Sequence, residues 1–193
     1  MILAFSTSCA WTSVAAIDES SRSVVWSGRL LAPQSSSGAC MKLLQQLGVE
    51  TGIEPSQVDL FVADMGPGSF TGVRVGVTLA KTFGFLYSKE VAGVTSFDLI
   101  DASRTVVLPS RKGEFFVRRA GDVPYRTSEI EGEELVGFGP GMEPEVYPDA
   151  SRVSLIIPNL VAVNAASFVP EYLIDPSISV PKKPFAPLGG KLG

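Results

Sequence analysis

Histidine is missing from this 193-residue chain altogether, and with it goes a large share of enzyme chemistry. Without imidazole the chain builds no Ser-His-Asp triad, no Cys-His pair and no H-E-x-x-H zinc site from its own residues. Cysteine is nearly as scarce. Cys9 and Cys40 lack C-x-x-C spacing and read as small buried hydrophobes, not metal ligands. No apolar run approaches the roughly 20 residues of a membrane span. Met1 to Ala4 lacks the basic flank and long apolar core of a secretory signal, so a cytoplasmic protein that crosses no membrane is expected. Positive charge is in deficit: 16 Lys and Arg against 20 Asp and Glu give a net charge of −4. Non-specific grip on nucleic acid rests on cations that neutralise phosphates, so this chain is not expected to hold RNA or DNA alone. The local cluster Arg111, Lys112, Arg118 and Arg119 admits an RNA contact, but a solvated hairpin face accounts for it as well and is preferred. Asp18, Glu19, Asp59, Asp64, Asp98 and Asp101 fall at element ends, where capping or solvation is the usual role.

What the chain does have is a hydrophobic fraction of 45% with 19% charged residues, the balance of a globular protein, at a length suited to one domain or two small lobes. Its most specific local feature is the run from Gly66 to Gly76, Gly-Pro-Gly-Ser-Phe-Thr-Gly-Val-Arg-Val-Gly. Pro67 fixes its own φ and pushes Gly66 out of the helical region, while the glycines admit close approach by other groups. Residues 60–64 read as a buried strand entering this turn, and Val73 to Tyr87 as a helix leaving it. The unpaired amides at a helix start are a potential anion site. However, the Lys-Ser/Thr pair of a P-loop and the G-x-G-x-x-G spacing are both absent, so a turn capped by Ser69 or Thr71 is preferred.

Along the chain, Ile2 to Ser6, Thr12 to Ile17 and Ser23 to Leu31 have strand character, the first two forming a hairpin. Ala39 to Leu47 is helical, with Cys40, Leu43, Leu44 and Leu47 on one face. A strand at Val91 to Thr95 and a short helix from Phe97 to about Ser103 follow the glycine turn and long helix. Hairpin strands joined later through helices predict a mixed sheet with helices on its faces. The second half reads more weakly. Strands are expected at Thr105 to Leu108, Glu114 to Arg119, Val123 to Arg126 and Val153 to Ile157, a short helix from Ser128, a loop over Gly137 to Pro148, and an extended tail over 175–193.

The opening Met1-Ile-Leu-Ala-Phe-Ser-Thr-Ser8, the Gly66–Gly76 signature, Val-Ala-Gly-Val-Thr-Ser-Phe at 91–97, Arg111-Lys-Gly-Glu-Phe-Phe116 and, more weakly, Pro170-Glu-Tyr-Leu resemble the TsaB family, also called YeaZ. The resemblance implies an α/β, actin-like (ribonuclease-H-type) mixed sheet flanked by helices, in two lobes over 1–101 and 102–193 with the second reduced. It also implies a non-catalytic scaffold for making threonylcarbamoyladenosine next to the anticodon of tRNAs that read codons starting with A. Such proteins pair with the metal-bearing transferase TsaD, with the ATPase TsaE joining them, and reach tRNA only through that complex. The first two helices of the lobe, here about Ser37 to Leu47 and Thr71 to Tyr87, form a bundle with TsaD or with a second copy. Carried onto this chain, the partner surface comprises Cys40, Met41, Leu44, Phe70, Gly72, Arg74, Val75, Gly76, Thr78, Leu79 and Thr82. Gly72, Gly76, Ala80 and Gly84 recur every four residues, leaving one stripe of the long helix almost without side chains. The stripe packs either on the chain's own sheet or against a partner, and the resemblance favours the partner.

No metal site, catalytic residue or cofactor is expected of the chain itself, with nucleotide at the partner junction left open. The alternative is an actin-like nucleotide-binding kinase or ATPase. Against it, Ser6 stands where that superfamily usually carries an aspartate, and Ser36 where relatives often have a histidine. A peptidase reading is remote, since histidine is absent and no nucleophile is evident.

Overall fold

The computed structural model describes residues 1–169 apart from Lys112, Glu131 and Glu133, so the expected tail over 175–193 and the Pro170-Glu-Tyr-Leu match lie outside the described residues. Alternating apolar residues in the opening segment bury both sides of a central strand. In β1 (Ile2–Ser6) every residue is buried. Leu3 and Phe5 join one hydrophobic cluster, Ile2 and Ala4 another on the opposite face. A strand covered on both faces has to sit mid-sheet between helical layers.

The first sheet has the order β10-β5-β4-β1-β2-β3. β1 pairs antiparallel with β2 (Trp11–Asp18), and β2 with β3 (Ser23–Leu31). β4 (Leu60–Asp64) and β5 (Glu90–Val94) run parallel to β1, reached through α1 (Ser36–Thr51) and α2 (Phe70–Leu86). This is the expected mixed sheet. Leu3, Phe5, Val14, Phe61, Leu43, Leu47, Val73 and Val77 fill the layer under α1 and α2. On the other face Ala15, Ile17, Val62, Leu99, Val153 and Ile156 pack beneath α3 (Asp98–Asp101) and α4 (Val153–Ile156).

A second sheet, β8-β7-β6-β9, is built from β6 (Val106–Pro109), β7 (Phe115–Arg118), β8 (Tyr125–Thr127) and β9 (Val136–Gly137). Arg118 ties it to the first. Its guanidinium donates to the Asp98 carboxylate and to the Asp101 carbonyl oxygen at 2.9 Å, over the Phe97 ring at 5.4 Å. The basic cluster on this hairpin is therefore split, with Arg118 buried in an ion pair and Arg119 exposed.

Two expectations for the second half are corrected. Val153–Ile157, expected as a strand, is instead a helical turn over Val153–Ile156 that runs into a 3-10 turn at Ile157 and is entered from another at Ala150–Arg152, whose Asp149 cap accepts from the Ser151 N–H. Apolar runs this short do not separate strand from helix by periodicity, and the Asp-Ala-Ser cap decided it. The strand from this part of the chain is instead β10 (Ala162–Asn164), which returns to the first sheet beside β5. No helix starts at Ser128, where the described residues 128–130 are bends and coil.

The small-residue stripe faces inward. A Cβ on Gly72 would fall on the Thr7 carbonyl oxygen, one on Gly76 would sit 2.7 Å from Thr7 Oγ1, and one on Gly84 would sit 2.7 Å from a Val91 methyl. Thr7 Oγ1 donates to the Gly72 carbonyl at 2.7 Å and accepts from the Gly76 N–H at 3.1 Å, bridging two groups one helical turn apart. So the stripe lets α2 approach the chain's own sheet, at the end of β1 through Gly72 and Gly76 and at β5 through Gly84, and not a partner. Among the described residues no helix is long and apolar enough to cross a membrane.

Substituting Gly72 with alanine should therefore lower stability by about 2 kcal/mol, because the obstructing atom is backbone and cannot yield cheaply. Gly48→Ala in α1, whose added methyl would meet its nearest neighbour at 3.8 Å, should raise it by about 0.5 to 1 kcal/mol. Urea denaturation of both variants checks the contrast.

Candidate functional site

The carboxyl ends of parallel strands β1, β4 and β5 meet where an open α/β sheet ordinarily places its chemistry. At that point Asp64, the last residue of β4, is fully buried. Its Oδ2 accepts from Ser6 Oγ at 2.7 Å and Ser8 Oγ at 2.6 Å. Its Oδ1 accepts from Ser96 Oγ at 2.6 Å and the Gly66 N–H at 2.9 Å. Ser96 Oγ also lies 2.9 Å from Ser8 Oγ. Ser6, where the actin-like pattern calls for a carboxylate, instead donates to one supplied by the neighbouring parallel strand. Burial pushes the Asp64 carboxyl above its ordinary value, and the hydrogen bonds from Ser8, Ser96, Ser6 and Gly66 oppose it.

The expectation that Asp64 is a solvated or capping carboxylate is corrected. The available signal was a carboxylate ending the apolar run Leu-Phe-Val-Ala directly before Gly-Pro-Gly, with Ser6 and Ser8 at the end of the adjoining strand. Asp18, Asp59 and Asp101 do fill the expected roles. Asp18 accepts from Ser20 and Ser21, Asp59 pairs with the N-terminal ammonium and Lys89, and Asp101 caps Ser103.

The glycine turn is held from within. The Ser69 N–H donates to the Ser8 carbonyl at 2.6 Å, and a Cβ on Gly68 would strike that same carbonyl. Ser69 caps α2, accepting from the Gly72 N–H at 3.2 Å, so of the two cap candidates Ser69 is the cap. Two donors of this helix start are thus engaged, the Ser69 N–H by the loop after β1 and the Gly72 N–H by the Ser69 side chain. Ser36 is the first residue of α1, preceded by Ser35 at the cap position. Cys9 and Cys40 are free, and burial pushes both thiols up to about 12, so they remain protonated and weakly nucleophilic. Among the described residues no three Cys, Asp or Glu side chains gather as metal ligands.

The expected partner residues divide by side. Cys40, Gly72 and Gly76 are buried within the chain's own fold and present no surface, which corrects their assignment. Met41, Phe70, Arg74, Thr78 and Thr82 are exposed, and Leu44, Val75 and Leu79 are half-buried between α1 and α2. The Arg74 guanidinium lies 4.5 Å over the Phe70 ring. Arg74, Thr78 and Thr82 also border a groove of about 990 Å³ between α2 and residues 165–169, floored by Val77 and rimmed by Phe85, Leu86 and Val169. Lys81 closes its base, donating to the Phe168 carbonyl at 2.9 Å. Phe85 at 78% and Leu86 at 63% exposed were not among the expected residues.

A raised folded-state value for Asp64 means the folded chain holds its proton more tightly than the unfolded chain, so stability from this group falls as pH rises above the ordinary 3.8. Asp64→Asn removes that titration. The stability advantage of the native chain over the variant should be largest in acid and shrink as pH rises, measured by urea denaturation across a pH series.

Residues 30–108 match the family described as TsaD, tRNA N6-adenosine threonylcarbamoyltransferase. Over 49 residues the chain is 41% identical to the tRNA threonylcarbamoyladenosine biosynthesis protein TsaB of Bacillus subtilis (strain 168), a stretch covering 25% of this chain and 21% of that protein. Over 70 residues it is 37% identical to an uncharacterized protein of Mycobacterium leprae (strain TN), covering 34% and 20%. The chain thus spans about a fifth of the length of these curated relatives. Among solved structures, YeaZ from Pseudomonas aeruginosa superposes with a TM-score of 0.73 at 20% identity, covering 89% of this chain and 99% of that one. An uncharacterized protein with similarity to peptidase YeaZ from Pseudomonas aeruginosa gives 0.74 at 18% identity, covering 90% and 99%. Along most of its length the chain thus shares the fold of YeaZ, and over the matched segments its sequence is similar to TsaB of Bacillus subtilis and to the family described as TsaD.

Proposed function

We propose that this chain is a non-catalytic subunit of the machinery that makes threonylcarbamoyladenosine in tRNA, and that it activates a TsaD-like transferase by binding it through the outer side of α1 and α2. The observation that carries this reading is the exposed ridge of α2. Arg74, Thr78, Thr82, Phe85 and Leu86 stand out from a helix whose opposite stripe is locked onto the chain's own sheet by glycines. A recognition helix fixed this closely loses little freedom when a partner docks. Phe70, Phe85 and Leu86 supply exposed apolar area and Arg74 a cation able to fork onto a partner carboxylate. Met41, Leu44, Val75 and Leu79 extend the contact across the α1–α2 seam.

A TsaE-like ATPase joins the pair, tRNA is met only through the assembly, and the same helices serve a second copy when the transferase is absent. The chain itself carries no cofactor and works in the cytoplasm. A nucleotide-hydrolysing role has less support, since the carboxylate nearest the glycine turn is sealed under three serine hydroxyls and a backbone amide.

Light scattering of the chain mixed with the TsaD-like protein of the same organism should show a one-to-one complex. Arg74→Glu should weaken it about tenfold or more without altering the melting temperature, because the residue is exposed and the change inverts a contact charge. Failure to form any complex at micromolar concentration overturns the reading.

A further inference from the structure

The groove between α2 and residues 165–169 carries charge of one sign. Among the described residues that line it the charged ones are Arg74 and Lys81, both cations, although the chain as a whole has a net charge of −4. Among the described residues Arg74 forms no ion pair, and its guanidinium rests on the Phe70 ring. Val77, Phe85, Phe168 and Val169 make the lining largely apolar. A fitting occupant brings apolar side chains together with a carboxylate. The far wall of the groove also has a direction. Ala165 lies against α2 at Gly84, where an added Cβ would stand 3.1 Å from the alanine methyl, and the Phe168 carbonyl accepts from Lys81 at 2.9 Å. From 165 to 168 the chain thus moves along α2 towards the start of that helix. Lys81 and Arg74 stand two helical turns apart, about 10 Å, and extended chain covers about 3.3 Å per residue, so the residue that comes level with Arg74 is Glu171.

We propose that the chain's own segment Pro170-Glu-Tyr-Leu-Ile174 occupies this groove, with the Glu171 carboxylate on the Arg74 guanidinium and Tyr172 carried on towards Phe70. The segment has the required composition, one acid followed by three large apolar residues, and it begins where Val169 already forms part of the wall. Pro170 biases Val169 to the extended conformation that the reach to Arg74 needs, and it brings no N–H into an apolar groove. A short tether makes the encounter intramolecular, so even a modest contact is populated. In the free chain the segment covers Arg74 and Thr78, which the proposed transferase contact also uses, and the partner displaces it. That competition rests on the reading of α2 as the transferase surface, whereas the docking itself does not. A short terminal segment that detaches ahead of global unfolding adds little to the melting temperature.

The test is disulfide trapping in the full chain with oxidised glutathione. Thr78→Cys combined with Pro170→Cys should cross-link within one chain about tenfold faster than Val49→Cys combined with Pro170→Cys, whose first thiol is exposed on α1 outside the groove. Burial keeps the native Cys9 and Cys40 thiols protonated and slow to compete. Glu171→Lys sets a like charge against Arg74 and should slow the trap about tenfold, and adding Arg74→Glu to that chain should restore it. Equal rates for the two cysteine pairs overturn the proposal, as does a cross-link that joins two chains, which puts another copy's segment in the groove. A trap indifferent to Glu171→Lys, or one that the charge exchange fails to restore, overturns the pairing with Arg74. Binding of the TsaD-like protein of the same organism should slow the trap, and a complex that forms without slowing it overturns the competition. A trap that succeeds where no complex forms upholds the docking and removes the transferase reading alone.

Discussion

A carboxylate with no cation beside it among the described residues survives inside a protein only if donors surround it, and Asp64 imposes that condition on three separate segments. Ser6 and Ser8 must stand at the end of β1, Ser96 just beyond β5, and the Gly66 amide must turn back towards its own strand. Meeting those demands fixes the loop after β1 against the glycine turn. There the Ser8 carbonyl takes the Ser69 N–H and Thr7 bridges Gly72 and Gly76. The position of α2 on the sheet follows from the polar cluster at its start as much as from the apolar residues along its length.

With its glycine stripe committed to the sheet, α2 exposes the other side as a stiff ridge. Arg74, Thr78 and Thr82 lie there with Phe85 and Leu86, facing the groove closed by Lys81 and Phe168. Close packing on one side and exposed apolar groups on the other are two results of one sequence period, since small residues every four positions leave the larger ones to the remaining faces. Arg118 plays a comparable part between the sheets, where its bonds to Asp98 and Asp101 hold β7 against α3.

Much of the first sheet was legible in the chain. The apolar opening run, the Ser23–Leu31 segment and the residues flanking the glycine turn fall as expected, because strands buried on both faces and a helix led by a capped turn leave strong local patterns. α4 did not, since Val-Ser-Leu-Ile carries no period long enough to read and its conformation depends on the Asp149 cap and on packing beneath β1 and β2. β10 has only three residues and exists because β5 offers it an edge. Of the surface residues, Met41, Phe70, Arg74, Thr78 and Thr82 emerged exposed, whereas Cys40, Gly72 and Gly76 turned inward.

By itself the sequence determined what this protein lacks and which segments become strand or helix. A missing imidazole removes a chemistry wherever the chain goes, and local periodicity and turn residues act over a few positions. Tertiary structure alone decided which face of α2 meets the sheet, and that Asp64 is a sealed hub and not a surface cap. Each of those outcomes depends on contacts between residues far apart in the chain, such as Ser6 with Asp64 or Thr7 with Gly72, and a glycine stripe reads the same whether its neighbour is the chain's own sheet or another molecule.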